Sequence, residues 1–160
     1  IIYISSILYS DRIENQTYTQ IFNSNLVNTI IPIRLIKYLD KNYSKFTFCY
    51  ISSESAKKGS FDDSYHVSKG ATDNFIREFR LGSKESRIFS IAPSTIESGM
   101  TNRRKDLKRL DRYREDHPKK RFITASEIAK IIQNLCSDEF NYLSNTTVEI
   151  NGGKFTRNIY

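Results

Sequence analysis

A chain of 160 residues with 38% hydrophobic residues is long enough for one domain with a real core and does not demand two. No run of about eighteen apolar residues occurs, which excludes a membrane-spanning helix, and the opening IIYISSIL lacks the basic flank and length of a secretory signal, so a cytoplasmic protein is expected. The formal charge of +7 leaves nucleic acid or an anionic substrate open until its distribution is known.

Residues 1–8 form a β-rich apolar run with Ser5 and Ser6 inside it, which predicts a buried strand and then a loop. Over residues 18–39, Ile21, Leu26, Ile30, Ile33 and Ile36 recur at helical spacing, and the polar DKNYSK closes that helix. Pro32 lies within it and removes the amide that would bond the carbonyl of Asn28, so a local kink is expected there. Residues 46–51 (FTFCYI) read as a strand covered on both faces.

A polar loop with Gly59 leads to a second helix at about residues 63–81, where Val67, Ala71, Phe75 and Phe79 repeat every four residues as a core-facing stripe. Residues 87–92 (RIFSIA) are another buried strand, stopped by Pro93. After a basic stretch, residues 124–126 offer helix-capping side chains before EIAKIIQNLC, and residues 147–150 form a last strand ended by NGG. Strands alternating with helices predict an α/β fold, a parallel sheet with helices on both faces and all strand carboxyl ends on one edge. Cys49 and Cys136 sit in separate apolar stretches, without a Cys-x-x-Cys pair or a ligand cluster, so buried reduced thiols are expected and a metal site is not.

In YHVSK (residues 65–69), Tyr65 and Lys69 are four apart and share one face of the second helix. A nearby ammonium stabilises a phenolate and lowers the tyrosine pKa, so the pair can run acid and base chemistry near neutrality. With YISS before it and IAPSTIESGM, TASEIAKIIQNLCSD and VEINGG after it, the chain resembles the short-chain dehydrogenase/reductase family, and the ketoacyl-carrier-protein reductase type within it. The resemblance implies a Rossmann-like doubly wound parallel sheet, of which residues 1–160 form a single partial domain, the C-terminal two thirds.

It further implies a catalytic set. Tyr65 would be the acid and base, Lys69 would lower its pKa and bond the nicotinamide ribose, and Ser53 would orient the substrate carbonyl, with Ser52 as the rival reading. Asn28, or else Asn25, would hold a relay water. IAPSTIESGM resembles the loop that closes over the nicotinamide, so Tyr65, Lys69, Pro93, Ser94, Ile96 and Ser98 are expected at the cofactor, Ile96 through its backbone and Ser98 in place of the usual threonine. Ser94 replaces a glycine, which puts the loop's backbone shape in question, and Ser5 and Ser6 replace the usual Ala-Gly.

The first glycine is Gly59, so no glycine-rich turn for a dinucleotide pyrophosphate precedes it, and the chain is expected to be a piece of a longer one. NAD and NADP remain equal candidates. Between residues 101 and 121 ten basic residues (Arg103, Arg104, Lys105, Lys108, Arg109, Arg112, Arg114, Lys119, Lys120, Arg121) face four acidic ones, most of the net charge in one lid at about residues 100–122. That lid suits an acyl carrier protein, a coenzyme A thioester or a nucleotide-linked sugar. Only Tyr113 interleaves with it, which speaks against nucleic acid. His117 is expected at the surface and His66 simply beside Tyr65.

The leading expectation is an NAD(P)-dependent oxidoreductase acting on a carbonyl or secondary alcohol. A nucleotide-sugar epimerase or dehydratase using the same Tyr and Lys, and a non-catalytic binding or assembly module, are the alternatives. A homodimer or homotetramer through the two long helices is also implied.

Overall fold

The structure, a computed structural model, describes residues 1–102 and 107–155. Its centre is a parallel sheet in the order β1 (Ile2–Tyr3), β2 (Thr47–Ile51), β3 (Arg87–Pro93), β6 (Thr146–Ile150). Thr47 to Ile51 run opposite Arg87 to Ile91, and Phe89 to Pro93 opposite Thr146 to Ile150. All strands therefore end on one edge, as the alternating pattern predicts. A second, two-stranded parallel ribbon joins β4 (Ile96–Glu97) to β5 (Ile123–Thr124).

Strand alternation sends side chains to two layers. Phe48, Tyr50 and Ile88 meet Ile36, Leu39 and Ile76 from helices on one face. Cys49, Phe89 and Ile91 meet Ile128 and Ile132 of α7 (Ala125–Leu135) on the other. The chain thus winds over both faces, with the short α3 (Ser55–Lys58) and α4 (Asp63–Glu78) linking β2 to β3 and α7 linking β3 to β6. Thr124 caps α7 reciprocally with Glu127, and buried Arg87 donates to the carbonyls of Leu135, Ser137 and Phe140 beyond the helix's other end. Cys49 and Cys136 are free thiols, and burial first, then the proximity of Cys136, pushes the Cys49 thiol up to about 12.

The first long helix has three parts, α1 (Tyr18–Asn25), a π-helical turn (Leu26–Ile30) and α2 (Ile31–Asn42). Pro32 has no amide for the Asn28 carbonyl, and the amide of Ile31 reaches back to Leu26, so one turn widens. The carbonyls this opens take hydroxyls from the sheet: Tyr3 donates to Val27, and Tyr50 donates to Asn28, each at 2.7 Å.

Three expectations need correction. The strand expected in residues 1–8 is only Ile2–Tyr3, because the following segment is pinned by side chains instead of a strand ladder. α4 ends at Glu78, where Asn145 donates to the carbonyls of Ile76 and Phe79. Its stripe of Val67 and Ala71 does not face the core, since Val67 is 57% exposed, and the face turned inward carries Tyr65, Ser68, Lys69, Thr72, Asp73 and Ile76. A buried face this polar needs another account than packing.

Candidate active site

α4 begins at Asp62, whose carboxylate accepts the Tyr65 amide at 2.9 Å and so fixes the first turn of the helix. The same carboxylate also accepts from the amides of Tyr9 and Ser10, from the Gln16 side chain and from the Ser64 hydroxyl. Burial raises the Asp62 pKa, but the bonds from Tyr65, Gln16, Ser64 and Tyr9 outweigh it and hold the carboxyl below its ordinary range. Tyr65 is thereby held by its backbone at the sheet's carboxyl edge, 9% exposed.

Lys69 follows one turn later, 1% exposed. Its Nζ donates to the Ile51 carbonyl at the end of β2 (2.7 Å) and lies 4.5 Å from the ring centre of Tyr50 and 5.7 Å from that of Tyr65. Burial pushes the ammonium down to about 7, against the pull of Asp73. A cation poised near neutrality beside a phenol is the arrangement that tuned proton transfer needs.

A cavity of 490 Å³ opens over these groups, of a size that takes small ligands. Its wall includes Tyr65, Lys69, Ser52, Ser53, Pro93, Ser94, Ile96 and Ser98, so eight of the residues singled out in the sequence share one site. The two serines differ. Ser52 is buried and donates its hydroxyl to Asp73 at 2.6 Å, whereas Ser53 accepts the Ser55 amide at 3.1 Å and keeps its own proton to donate.

Asn28 stands behind the cavity wall, fully buried. Its side chain accepts from the Ile7 amide and the Ser6 hydroxyl and donates to the Ile7 carbonyl, Ser24 and Ser68. The carbonyl that Pro32 leaves without an amide donor takes the hydroxyls of Tyr50 and Thr72, both at 2.7 Å. Asn28 therefore anchors Ser6, itself on the cavity wall, to the π-helical turn. Asn25 bonds the Ile21 carbonyl within its own helix.

The segment after β3 forms the rest of the wall. Ser94 continues the ladder through its amide to Ile150 and has no left-handed backbone, so replacing a glycine there costs no strain. The Ile96 carbonyl already accepts the Thr101 hydroxyl at 2.6 Å, and Ser98 is 3.5 Å from the same hydroxyl. In the basic segment expected to be a lid, α5 (Gly99–Asn102) and α6 (Leu107–Asp116) bury Thr101 and Leu110 and leave Lys108, Arg112 and Arg114 exposed, as are Lys119, Lys120 and Arg121 beyond. Arg103, Arg104 and Lys105 lie outside the described residues.

His117 is not a surface residue. It is 5% exposed, accepts the Lys119 amide at Nδ1, lies 3.5 Å from the Ser94 hydroxyl and packs against Gly152, where a Cβ would come within 2.7 Å of the ring and φ is +62°. His66 contacts the Ser55 carbonyl at 2.6 Å. Asp62, Asp73 and His117 carry no local motif, apart from the helix-capping position of Asp62 three residues before Tyr65.

Ile51, Ile96, Ile128 and Ile132 line the same cavity as Tyr65 and Lys69, and this mix of apolar and hydrogen-bonding groups suits a flat ring joined to a hydroxylated sugar, the nicotinamide end of a dinucleotide. No glycine-rich turn for a pyrophosphate occurs among the chain's six glycines. Among the described residues no three His, Cys, Asp or Glu gather as a metal site, and no helix is long and apolar enough to cross a membrane.

A family model described as enoyl-(acyl carrier protein) reductase matches residues 10–154. The 3-oxoacyl-[acyl-carrier-protein] reductase FabG of Buchnera aphidicola is 37% identical over 75 residues, 47% of this chain and 30% of that one. The FabG of Pseudomonas aeruginosa is 26% identical over 150 residues, 90% of this chain and 59% of its own length. The chain thus spans between about a third and three fifths of these relatives. Among solved structures, a Brucella melitensis short-chain dehydrogenase/reductase superposes with a TM-score of 0.88 at 23% identity, over 97% of this chain and 64% of that one. The angucycline C-6 ketoreductase LanV, with bound NADP, does so at 0.84 and 18% identity, over 96% and 61%. At these identities the two structures establish the fold.

Proposed function

The chain belongs to the short-chain dehydrogenase/reductase family, and from that membership we propose that it forms the catalytic part of an NAD(P)-dependent oxidoreductase acting on a carbonyl or secondary alcohol. The observation that carries the reading is the placing of Tyr65 and Lys69 on successive turns inside one 490 Å³ cavity, with the ammonium driven toward neutrality.

Hydride chemistry comes from the nicotinamide when it is bound. What this chain contributes is the proton and the positioning. The Tyr65 hydroxyl gives a proton to the carbonyl oxygen in reduction and takes it back in oxidation. The Lys69 charge favours the phenolate and so lowers the cost of that transfer. Ser53, with its proton uncommitted, holds the carbonyl oxygen, while Pro93, Ser94, Ile96 and Ser98 line the ring's place and Asn28 keeps the facing loop in register.

The substrate we favour is a carrier-linked acyl thioester. The relatives' names give that class, and the exposed Lys108, Arg112, Arg114, Lys119 and Lys120, which follow the cavity residues Ser98 and Thr101 in the chain, suit an acidic carrier protein. A second copy of the chain is the proposed neighbour for the outer helices, where Tyr18, Phe22, Ile30, Ile31 and Val67 stand exposed on adjacent elements.

The test is oxidation of NADPH or NADH followed by absorbance, with 3-oxoacyl thioesters offered free and carrier-linked. Tyr65→Phe should lower turnover by about a hundredfold or more while leaving dinucleotide binding nearly unchanged. Turnover equal to wild type would remove Tyr65 from the chemistry.

A further inference from the structure

The inward face of α4 carries three ionisable groups, and the chemistry proposed above uses Tyr65 and Lys69. The third is Asp73, one turn on from Lys69 and 7% exposed. Its Oδ2 accepts the Ser52 hydroxyl at 2.6 Å, and its Oδ1 has no hydrogen-bond partner. The residue also lies on the wall of a separate cavity of 210 Å³. An ionised carboxylate buried with a single hydrogen bond is costly unless an opposite charge shares its surroundings. Lys69 presents the same problem from the other side, an ammonium bonded to one carbonyl and flanked by two tyrosine rings.

We propose that Asp73 is a positioning residue of this site: it is the counter-charge that keeps the buried Lys69 protonated, and by taking the Ser52 hydroxyl it leaves Ser53 to face the ligand. The inference rests on the oxidoreductase reading, because a charged Lys69 has a use only if Tyr65 exchanges protons. No direct ion pair joins the two, so the coupling acts across the desolvated layer between α4 and β2, where charges interact strongly.

The electrostatics agree in sign. Burial lowers Lys69, and the Asp73 charge opposes it. Burial raises Asp73, while the Ser52 bond, the nearby Ser90 hydroxyl and the charges of Lys69 and Arg77 oppose that. The remaining charged groups around the smaller cavity have their own partners: Lys57 pairs with Glu149, Lys58 lies over the Phe155 ring, Glu54 pairs with Lys154, and exposed Arg77 bonds Asn74. Tyr50 also faces Asp73 from β2, with its phenol pushed well up by burial and so kept neutral.

Titration of the chain with ¹³C-labelled lysine and aspartate, followed by NMR, tests the coupling directly. In Asp73→Asn the Lys69 midpoint should fall by about one pH unit or more, a tenfold weakening of its proton binding. A midpoint that stays or rises overturns the proposal, and a rise is what a merely structural role predicts, since loosened packing would let water reach the ammonium. Should Asp73→Asn not fold, Lys69→Met reads the coupling from the other end: the Asp73 carboxyl midpoint should rise, and an unchanged one overturns the proposal. Neither titration needs turnover, so its outcome stays separate from the Tyr65→Phe assay.

Discussion

Burying an ammonium as completely as Lys69 is buried has a cost to folding that depends on pH. Its folded pKa of about 7 lies below the ordinary lysine value, so between the two the unfolded chain binds more protons than the folded one. The cost is therefore full below pH ~7, fades as pH rises, and is gone above pH ~10.5. Replacing Lys69 with Met, of similar reach and no charge, should raise the free energy of unfolding by more than about 2 kcal/mol at pH ~7 and by almost nothing at pH ~10.5. Urea denaturation at the two pH values measures this, and an equal gain at both would show that the Lys69 pKa is not depressed in the folded state. The sequence was informative here where a short motif carries chemistry, since Tyr65 and Lys69 need only helical spacing to meet. It left Ser52 and Ser53 open, because the choice between them depends on Asp73, which is remote in the chain and approaches only when α4 packs on β2.

Asp62 shows how one element is set in place. It caps α4, ties the helix to Tyr9, Ser10 and Gln16, and so fixes both the height of Tyr65 and the course of the loop after β1. Asp62→Ala should cost about 3 kcal/mol near neutral pH, the loss of a cap plus buried donors left without an acceptor. Because its folded pKa is depressed, that contribution is present above the ordinary carboxyl range and is lost as pH falls through the folded value, so wild type and variant should converge in acid. Denaturant melts across that range, with amide exchange at Tyr9 and Ser10 as the local readout, check it. An undiminished difference in acid would mean that the carboxylate charge is not what matters. The same helix explains a misreading by pattern. Of the stripe Val67, Ala71, Phe75 and Phe79, the last two pack against the core as their period predicts, whereas Val67 and Ala71 are exposed and the neighbouring face is buried by the site, since hydrophobic periodicity does not mark a buried face made of Lys, Asp, Ser and Thr. At Pro32 the sequence was right that the Asn28 carbonyl loses its donor. Tyr50 and Thr72, not water, supply the replacement, which local sequence does not contain.

At the scale of the molecule, the two-sided sheet accounts for most of the buried apolar residues, yet the outer faces of α1 and α4 leave Phe22 58% and Val67 57% exposed. With a second copy packed there, the protein should run as a dimer or larger in sedimentation at micromolar concentration, and Val67→Glu, which changes a solvent-facing side chain, should shift it toward monomer without altering its melting. A wild-type monomer would rule this surface out as an oligomer contact.

The sequence by itself determined the α/β class, the parallel order of strands and helices, and the meeting of Tyr65 with Lys69 on one helix face. These rest on period, spacing and residue type, which are local along the chain. Only the tertiary structure decided that Asn28 anchors the Ser6–Ile7 loop, that His117 turns inward against Gly152, and that Asp73 stands beside Ser52 in reach of the Lys69 charge. The physical reason is common to all three: the energy of a buried polar group is set by its partners, and those partners come from elements far apart in sequence, brought together only when the helices pack on the sheet.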